Sequence, residues 1–246
     1  MLNIIIPLAG SSEIYFNSGF QYPKPIIEIL GTTMIEFVIQ NPSKIKNDYQ
    51  FVFIIKEDDA LKYHLDNTLK LLCPNAKILK LKNETKGALC SILMTIDIID
   101  ENDEILILNG DQVIDIDFDL LNNEWKKNNA NVGIVTFNSV HPRWSYALIK
   151  DNIVIQTAEK NPISTNAIAG YYYFNNAKYF FENAYSTIKN DEQILGNFYI
   201  SPVINQYILK NYIVKNYTIP SESYHSFYSP QMLNDFERKY IANESL

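Results

Sequence analysis

Residues 2–25 read LNIIIPLAGSSEIYFNSGFQYPKP. Residues 4–8 are an apolar run rich in β-branched side chains and too short to cross a membrane. Such a run is the signature of a strand buried on both faces, as in parallel sheets. At Ala9 and Gly10 the pattern gives way to a polar loop with a second glycine, Gly19, which closes on Pro23-Lys24-Pro25. A first strand followed by a small-residue turn and a lysine suits phosphate: backbone N–H groups face the anion and a cation completes the pocket. Leu8, Ala9, Gly10, Ser11, Ser12 and Lys24 are therefore candidate phosphate contacts.

The chain beyond it alternates between strand and helix patterns. Gly31 makes a turn, and Thr32 or Thr33 caps a helix running to Gln40. Residues 49–55 form a second buried strand. Lys56-Glu57-Asp58-Asp59 opens a helix with acids in its first turn, where the dipole favours them. Leu61, Leu65, Leu69 and Leu72 give that helix one apolar stripe. Residues 77–81 are a third strand, and a loop through Lys86-Gly87-Ala88 leads into an apolar helix reaching Ile99. A glycine at that helix start lets another group approach the backbone closely.

Residues 104–108 make a strongly apolar strand that delivers Asn109-Gly110-Asp111-Gln112. In open α/β sheets ligands sit at the carboxyl ends of strands. Asp111 is placed there to hold a divalent ion bridging phosphate oxygens. Asp115, Asp117 and Asp119 follow at a spacing of two and read as a solvated turn, with Asp117 or Asp119 capping a helix over 120–128. A core strand over 131–137 precedes His141-Pro142-Arg143-Trp144-Ser145-Tyr146. That string offers a cation, an aromatic plate and hydroxyls, and Arg143 has the forked geometry to grip a phosphate. A strand over 152–157 runs into Glu159-Lys160, and 167–174 is an aromatic strand containing Gly170. Helices over 175–189, from Pro202 and over 231–240, and a last strand over 213–219, complete the chain.

This alternation indicates an α/β fold, a mostly parallel central sheet between helix layers. A length of 246 residues with 47% apolar content suffices for one large core. We read residues 1–246 as a single domain. The net charge of −7 without a lysine-rich block disfavours nucleic acid and membrane surfaces as partners. There is no run of membrane length and no basic leader with a cleavage site, so a cytoplasmic location is expected. Cys73 and Cys90 read as buried free thiols. A homo-oligomer is left open.

Leu8-Ala9-Gly10, Pro23-Lys24-Pro25, Gly87-Ala88 and Gly110-Asp111, in that order, resemble the sugar-1-phosphate nucleotidylyltransferases (NDP-sugar pyrophosphorylases). Those enzymes open with L-A-G-x-G-[ST]-R-[LF] and close the loop with P-K-P. The strings around Asp111-Gln112, His141 to Tyr146 and Glu159-Lys160 are similar to a capsule-biosynthesis-associated branch of that family. The resemblance implies the nucleotide-diphospho-sugar transferase fold (Rossmann-like, GT-A), with a nucleotide-binding half, 1–115, and an acceptor-binding half, 116–246. It also implies Mg²⁺ as cofactor, and a nucleoside triphosphate and a phosphorylated acceptor as partners. Lys24 and Asp111 become the catalytic pair, with Asp111 on the metal. Lys86, Gly87, Ala88, Asn109 and Gly110 join the nucleotide site. Gln112, Arg143, Trp144, Tyr146, Glu159, Lys160 and Gly170 fall on the acceptor side. Aligning the ends of the loop puts Ser12 at the second glycine and Ile14 at the catalytic arginine. Asn197 replaces an acid, and Ser226 falls where many members carry a second metal-binding aspartate. Two further readings follow: a non-catalytic nucleotide-binding relative, and a glycosyltransferase using Asp115 and Asp117 as its metal pair.

Overall fold

The computed structural model describes residues 1–244. The first half interleaves strands and helices: β1 (Leu2–Pro7), α1 (Glu13–Phe16), the two-residue strands β2 (Glu28–Ile29) and β3 (Thr32–Thr33), α2 (Met34–Gln40), β4 (Tyr49–Lys56), α3 (Glu57–Tyr63), α4 (Leu65–Leu72), β5 (Lys77–Leu81), α5 (Ala88–Leu93) and β6 (Glu104–Leu108). The second half comprises β7 (Gln112–Ile114), α6 (Phe118–Lys127), β8 (Val132–Asn138), β9 (Ser145–Lys150), β10 (Ile153–Glu159), β11 (Asn166–Phe174), α7 (Ala177–Lys189), α8 (Ser201–Leu209), β12 (Val214–Thr218), β13 (Tyr224–Ser226) and α9 (Pro230–Glu244).

Nine strands form one sheet in the order β5-β4-β1-β6-β11-β8-β12-β10-β9. From β5 to β6 every pairing is parallel. Beyond β6 the sheet is mixed, which corrects the expectation of a mostly parallel one. β11 runs antiparallel to both β6 and β8, β12 is parallel to β8, and β10 is antiparallel to β12 and β9. One cause is the short connection from β9 to β10: it holds no crossover helix, so these two strands pair antiparallel.

The alternation of β1 splits its side chains between two cores. Ile4 and Ile6 face one core with α2, α4 and α6, whereas Ile5 faces the other with α5, α7 and α8. All three are fully buried, each stabilising the fold by about 1.5–3 kcal/mol through removal from water. A third, smaller cluster joins Tyr15, Ile27, Ile29 and Met34 to Phe227, Leu233 and Phe236. It fastens the N-terminal loop to α9.

Two local expectations change. The single helix over the leucine stripe is broken at His64, whose left-handed φ of 55° ends α3 and starts α4. Leu65 and Leu69 are buried, but Leu61 lies before the break and is exposed. The apolar helix after Gly87 stops at Leu93, and a short 3₁₀ turn, Ile96–Ile98, replaces its end. The predicted Thr33 cap is present as a capping box with Glu36. Among the described residues no helix is long and apolar enough to cross a membrane. Both cysteines are free and half-buried, and burial pushes the Cys73 thiol up to about 11.

Candidate active site

The carboxyl ends of β1, β4 and β6 open into a cleft of about 370 Å³. Leu8, Ala9, Gly10, Ser11, Lys24, Gly87, Ala88, Asn109, Gly110 and Asp111, all picked out from sequence, line it. Lys24 Nζ donates to Asp111 Oδ2 at 2.8 Å, both side chains being mostly shielded from water. The pair joins the end of the first loop to the end of β6, 87 residues on. Its position follows from topology, because β1 and β6 are parallel neighbours and their outgoing turns must lie side by side.

Ser12 and Lys86 stand outside the lining. Ser12 is buried beneath the loop and accepts the backbone N–H of Lys24. Lys86 is exposed, and its carbonyl accepts the backbone N–H of Phe198 at 2.8 Å. The Phe198 backbone packs so closely on Gly87 that a Cβ there would collide with it, and Gly87 has a positive φ of 98°. Only glycine meets both conditions.

Ile14, at the arginine position, lies on α1, is 41% exposed and is outside the cleft lining. Ser226 lies opposite Gln112 in the β7–β13 ladder, and the Phe227 N–H donates to the Asp111 carbonyl at 2.7 Å. A serine thus borders the Asp111 segment where a second carboxylate would stand. Among the described residues no group of three or more His, Cys, Asp or Glu side chains could hold a metal ion. A single carboxylate on the cleft wall, as Asp111 provides, nevertheless suits Mg²⁺, which keeps several of its waters and is commonly shared with phosphates. Burial, with the Asp111 charge adding, pushes the phenols of Tyr15 and Tyr224 far up. Both are neutral walls beside the carboxylate.

None of the acceptor-side residues lines this cleft. Gln112 is locked: its Nε2 donates to the carbonyls of Ala169 and Gly170, and its Oε1 accepts from Asn109 and Tyr224. Gly170, at φ 62°, gives these side chains room, since a Cβ would strike both Asn109 and Gln112. Tyr146 is buried with its hydroxyl donated to the His141 carbonyl at 2.6 Å. Arg143 folds over His141, Nε to Nδ1 at 3.1 Å, and lies 5.6 Å from the Trp144 ring and 5.9 Å from the Tyr228 ring. Trp144 meets Tyr224 edge-on at 5.4 Å, and both border a second hollow of about 210 Å³. Glu159 accepts the hydroxyls of Ser145 and Ser201, and burial raises its pKa. Lys160 Nζ donates to the Tyr199 hydroxyl at 2.7 Å.

Several cleft residues carry no signal in the sequence motifs. Lys56 ends β4, and Asn83, Glu84, Thr85 and Ser91 follow β5. The carboxyl-end rule applied to Asp111 would have found Lys56. Asn197, which also lines the cleft, reads in sequence only as the replacement of an acid. Asp117 caps α6 by accepting the Leu120 N–H at 2.9 Å, as expected. It and Asp115 line a separate depression, so the carboxylate pair of the glycosyltransferase reading is not at the cleft.

Fold and cleft together define an α/β protein with an open cleft where its parallel strands end. The sequence matches the Nucleotidyl transferase family over residues 19–216, and the chain belongs to that family. Among curated proteins no sequence match was found. The fold is similar to that of a nucleoside-diphosphate-sugar pyrophosphorylase from Vibrio cholerae RC9, with a TM-score of 0.83 and 24% identity over 96% of this chain and 99% of that one. It is similar also to a UTP-bound UGPase from Acinetobacter baumannii, with a TM-score of 0.75 and 14% identity over 98% and 93% of the two chains. The inositol-1-phosphate CTP transferase from T. maritima gives 0.73 and 14% over 96% and 93%.

Proposed function

We propose that this protein joins a nucleoside triphosphate to a phosphorylated acceptor, a sugar 1-phosphate, for surface-polysaccharide assembly. An acceptor phosphate oxygen attacks the α-phosphorus in line. The bond from the α-phosphorus to its bridging oxygen breaks, and pyrophosphate leaves with that electron pair. Little covalent work is asked of the protein, so alignment and charge neutralisation carry the rate. The observation behind this reading is the Lys24–Asp111 pair, 2.8 Å apart inside the cleft.

Asp111 would hold Mg²⁺, which supplies positive charge across the phosphates when bound. Lys24, released from Asp111, neutralises charge developing on the leaving group. The turn at Ala9 and Gly10 offers N–H groups to the phosphates, and Gly87-Ala88 receives the base. Arg143 and Lys160 are the cations of the acceptor side. A pyrophosphate-release screen over nucleoside triphosphates and sugar phosphates tests the reading. Release with one pair of substrates, lost on Asp111→Ala together with Mg²⁺-dependent nucleotide binding, supports it.

One observation favours a second reading. Ile14 puts an apolar, solvent-facing side chain where the resemblance calls for an arginine. Removing one preorganised donor from such a site typically costs about a hundredfold or more in rate. Tight nucleotide binding without pyrophosphate release from any pair would make the chain a nucleotide-binding relative that has lost the chemistry.

A further inference from the structure

Two cationic side chains line the cleft among the described residues, Lys24 and Lys56. Lys24 is paired with Asp111. We propose that Lys56 is the second triphosphate-binding cation of this chain, taking over the charge that an arginine at position 14 would supply. The inference rests on the nucleotidyltransferase reading above.

Position is the first support. β4 lies beside β1 in parallel register, Pro7 opposite Ile54, and the Leu8 N–H donates to the Ile54 carbonyl at 2.7 Å. Continuing that register by two residues sets Lys56 level with Ala9, in the turn that would carry the phosphates. On its other side Lys56 pairs with Leu81 of β5, also a cleft residue. Its backbone is therefore fixed between two walls of the cleft.

Its partner is the second support. Lys56 Nζ lies 3.1 Å from Glu84 Oε1; the lysine side chain is 28% exposed and the glutamate 83%. So exposed a carboxylate contributes little to the pair, because water screens it and the side chain gives up rotamer freedom to stay. A polyphosphate brings more charge and several acceptors, and displaces Glu84 at small cost. Asp59 on α3 also feels the Lys56 charge, but its pKa is raised chiefly by burial. Ile14 sits outside the cleft and supplies no charge there.

The test is isothermal titration of the full chain with Mg²⁺ and the nucleoside mono- and triphosphate of the preferred base, and with inorganic tripolyphosphate. Lys56→Ala is expected to weaken triphosphate and tripolyphosphate about ten- to a hundredfold, the range for a hydrogen bond to a charged group. The monophosphate should bind as before, and Lys56→Arg should restore the triphosphate. Glu84→Gln should tighten triphosphate binding a few-fold. If Lys56→Ala binds triphosphate and monophosphate with the wild-type ratio, Lys56 has no such role while the general reading stands. If the wild type binds neither nucleotide nor tripolyphosphate, both fall together.

Discussion

The Ser12 hydroxyl accepts the backbone N–H of Lys24 at 3.0 Å. The signature loop is therefore cross-braced at its base, by a side chain that a glycine at this position would lack. Ser12 is buried under the loop rather than presented to a ligand. The bond holds the backbone of the residue whose Nζ meets Asp111. Ser12→Ala should leave that N–H without its partner and cost about 1–3 kcal/mol of stability. Turnover should fall more than stability alone explains, by about ten- to a hundredfold, because a small displacement of a reacting cation is costly. Urea midpoints and pyrophosphate-release rates measured on the same variant separate the two effects. Loss of stability with turnover intact would make Ser12 a structural brace only.

The legible parts of this molecule are those whose cause is local. The apolar run at residues 4–8, the small residues after it and the strand ending at Asp111 each announce themselves, and the parallel order of β1 and β6 brings them together. What stayed hidden depends on partners far along the chain. The register of β11 against β8 shifts between Ile168 and Tyr172, around Gly170, and pairing with β6 along the other edge begins only at Tyr171. No periodicity reports that irregularity. β13 is three residues long and exists because Tyr224 and Ser226 pair with Ile114 and Gln112. The break at His64 needs one left-handed residue, a conformation that no neighbouring proline or glycine marks. Lys56 was legible in principle, since it ends a parallel strand, but in sequence it reads as the first charge of a helix.

His225 offers a test in pH. It packs edge-on against Phe236 at 5.1 Å, on the strand that joins β7 to α9. Burial lowers its pKa below the ordinary 6.5, Lys239 lowers it further, and Asp115 partly opposes them. The unfolded chain therefore takes up a proton at higher pH than the folded one does. The contribution of neutral His225 to stability is fully present above pH 6.5 and is lost as pH falls through the depressed value. His225→Gln should remove that slope. The gap in urea midpoint between wild type and variant should narrow, or reverse, between pH 7.5 and pH 5.5, about one unit either side of the ordinary histidine pKa. A gap that stays constant over that range would mean that His225 titrates alike in the folded and unfolded chains.

The segment from Ile194 to Tyr199 touches both sides of the proposed reaction. Ile194 and Asn197 exchange backbone hydrogen bonds of 2.9 and 3.1 Å, which close the turn. Asn197 lines the nucleotide cleft, the Phe198 backbone is bonded to Lys86 and Leu89, and the Tyr199 hydroxyl accepts from Lys160. Within three residues the chain passes from one candidate subsite to the other, so substitutions there should separate the two substrates. Tyr199→Phe removes the acceptor for Lys160 Nζ but keeps the ring 4.8 Å beneath it. The acceptor KM should rise about two- to tenfold, the worth of one net hydrogen bond, with the nucleotide KM unchanged. Asn197→Ala should do the reverse, raising the nucleotide KM and sparing the acceptor. Initial-rate kinetics with each substrate varied at saturating levels of the other would decide it. Tyr199→Phe raising both constants equally would show that the segment moves as one body and that Lys160 has no separate share in holding the acceptor.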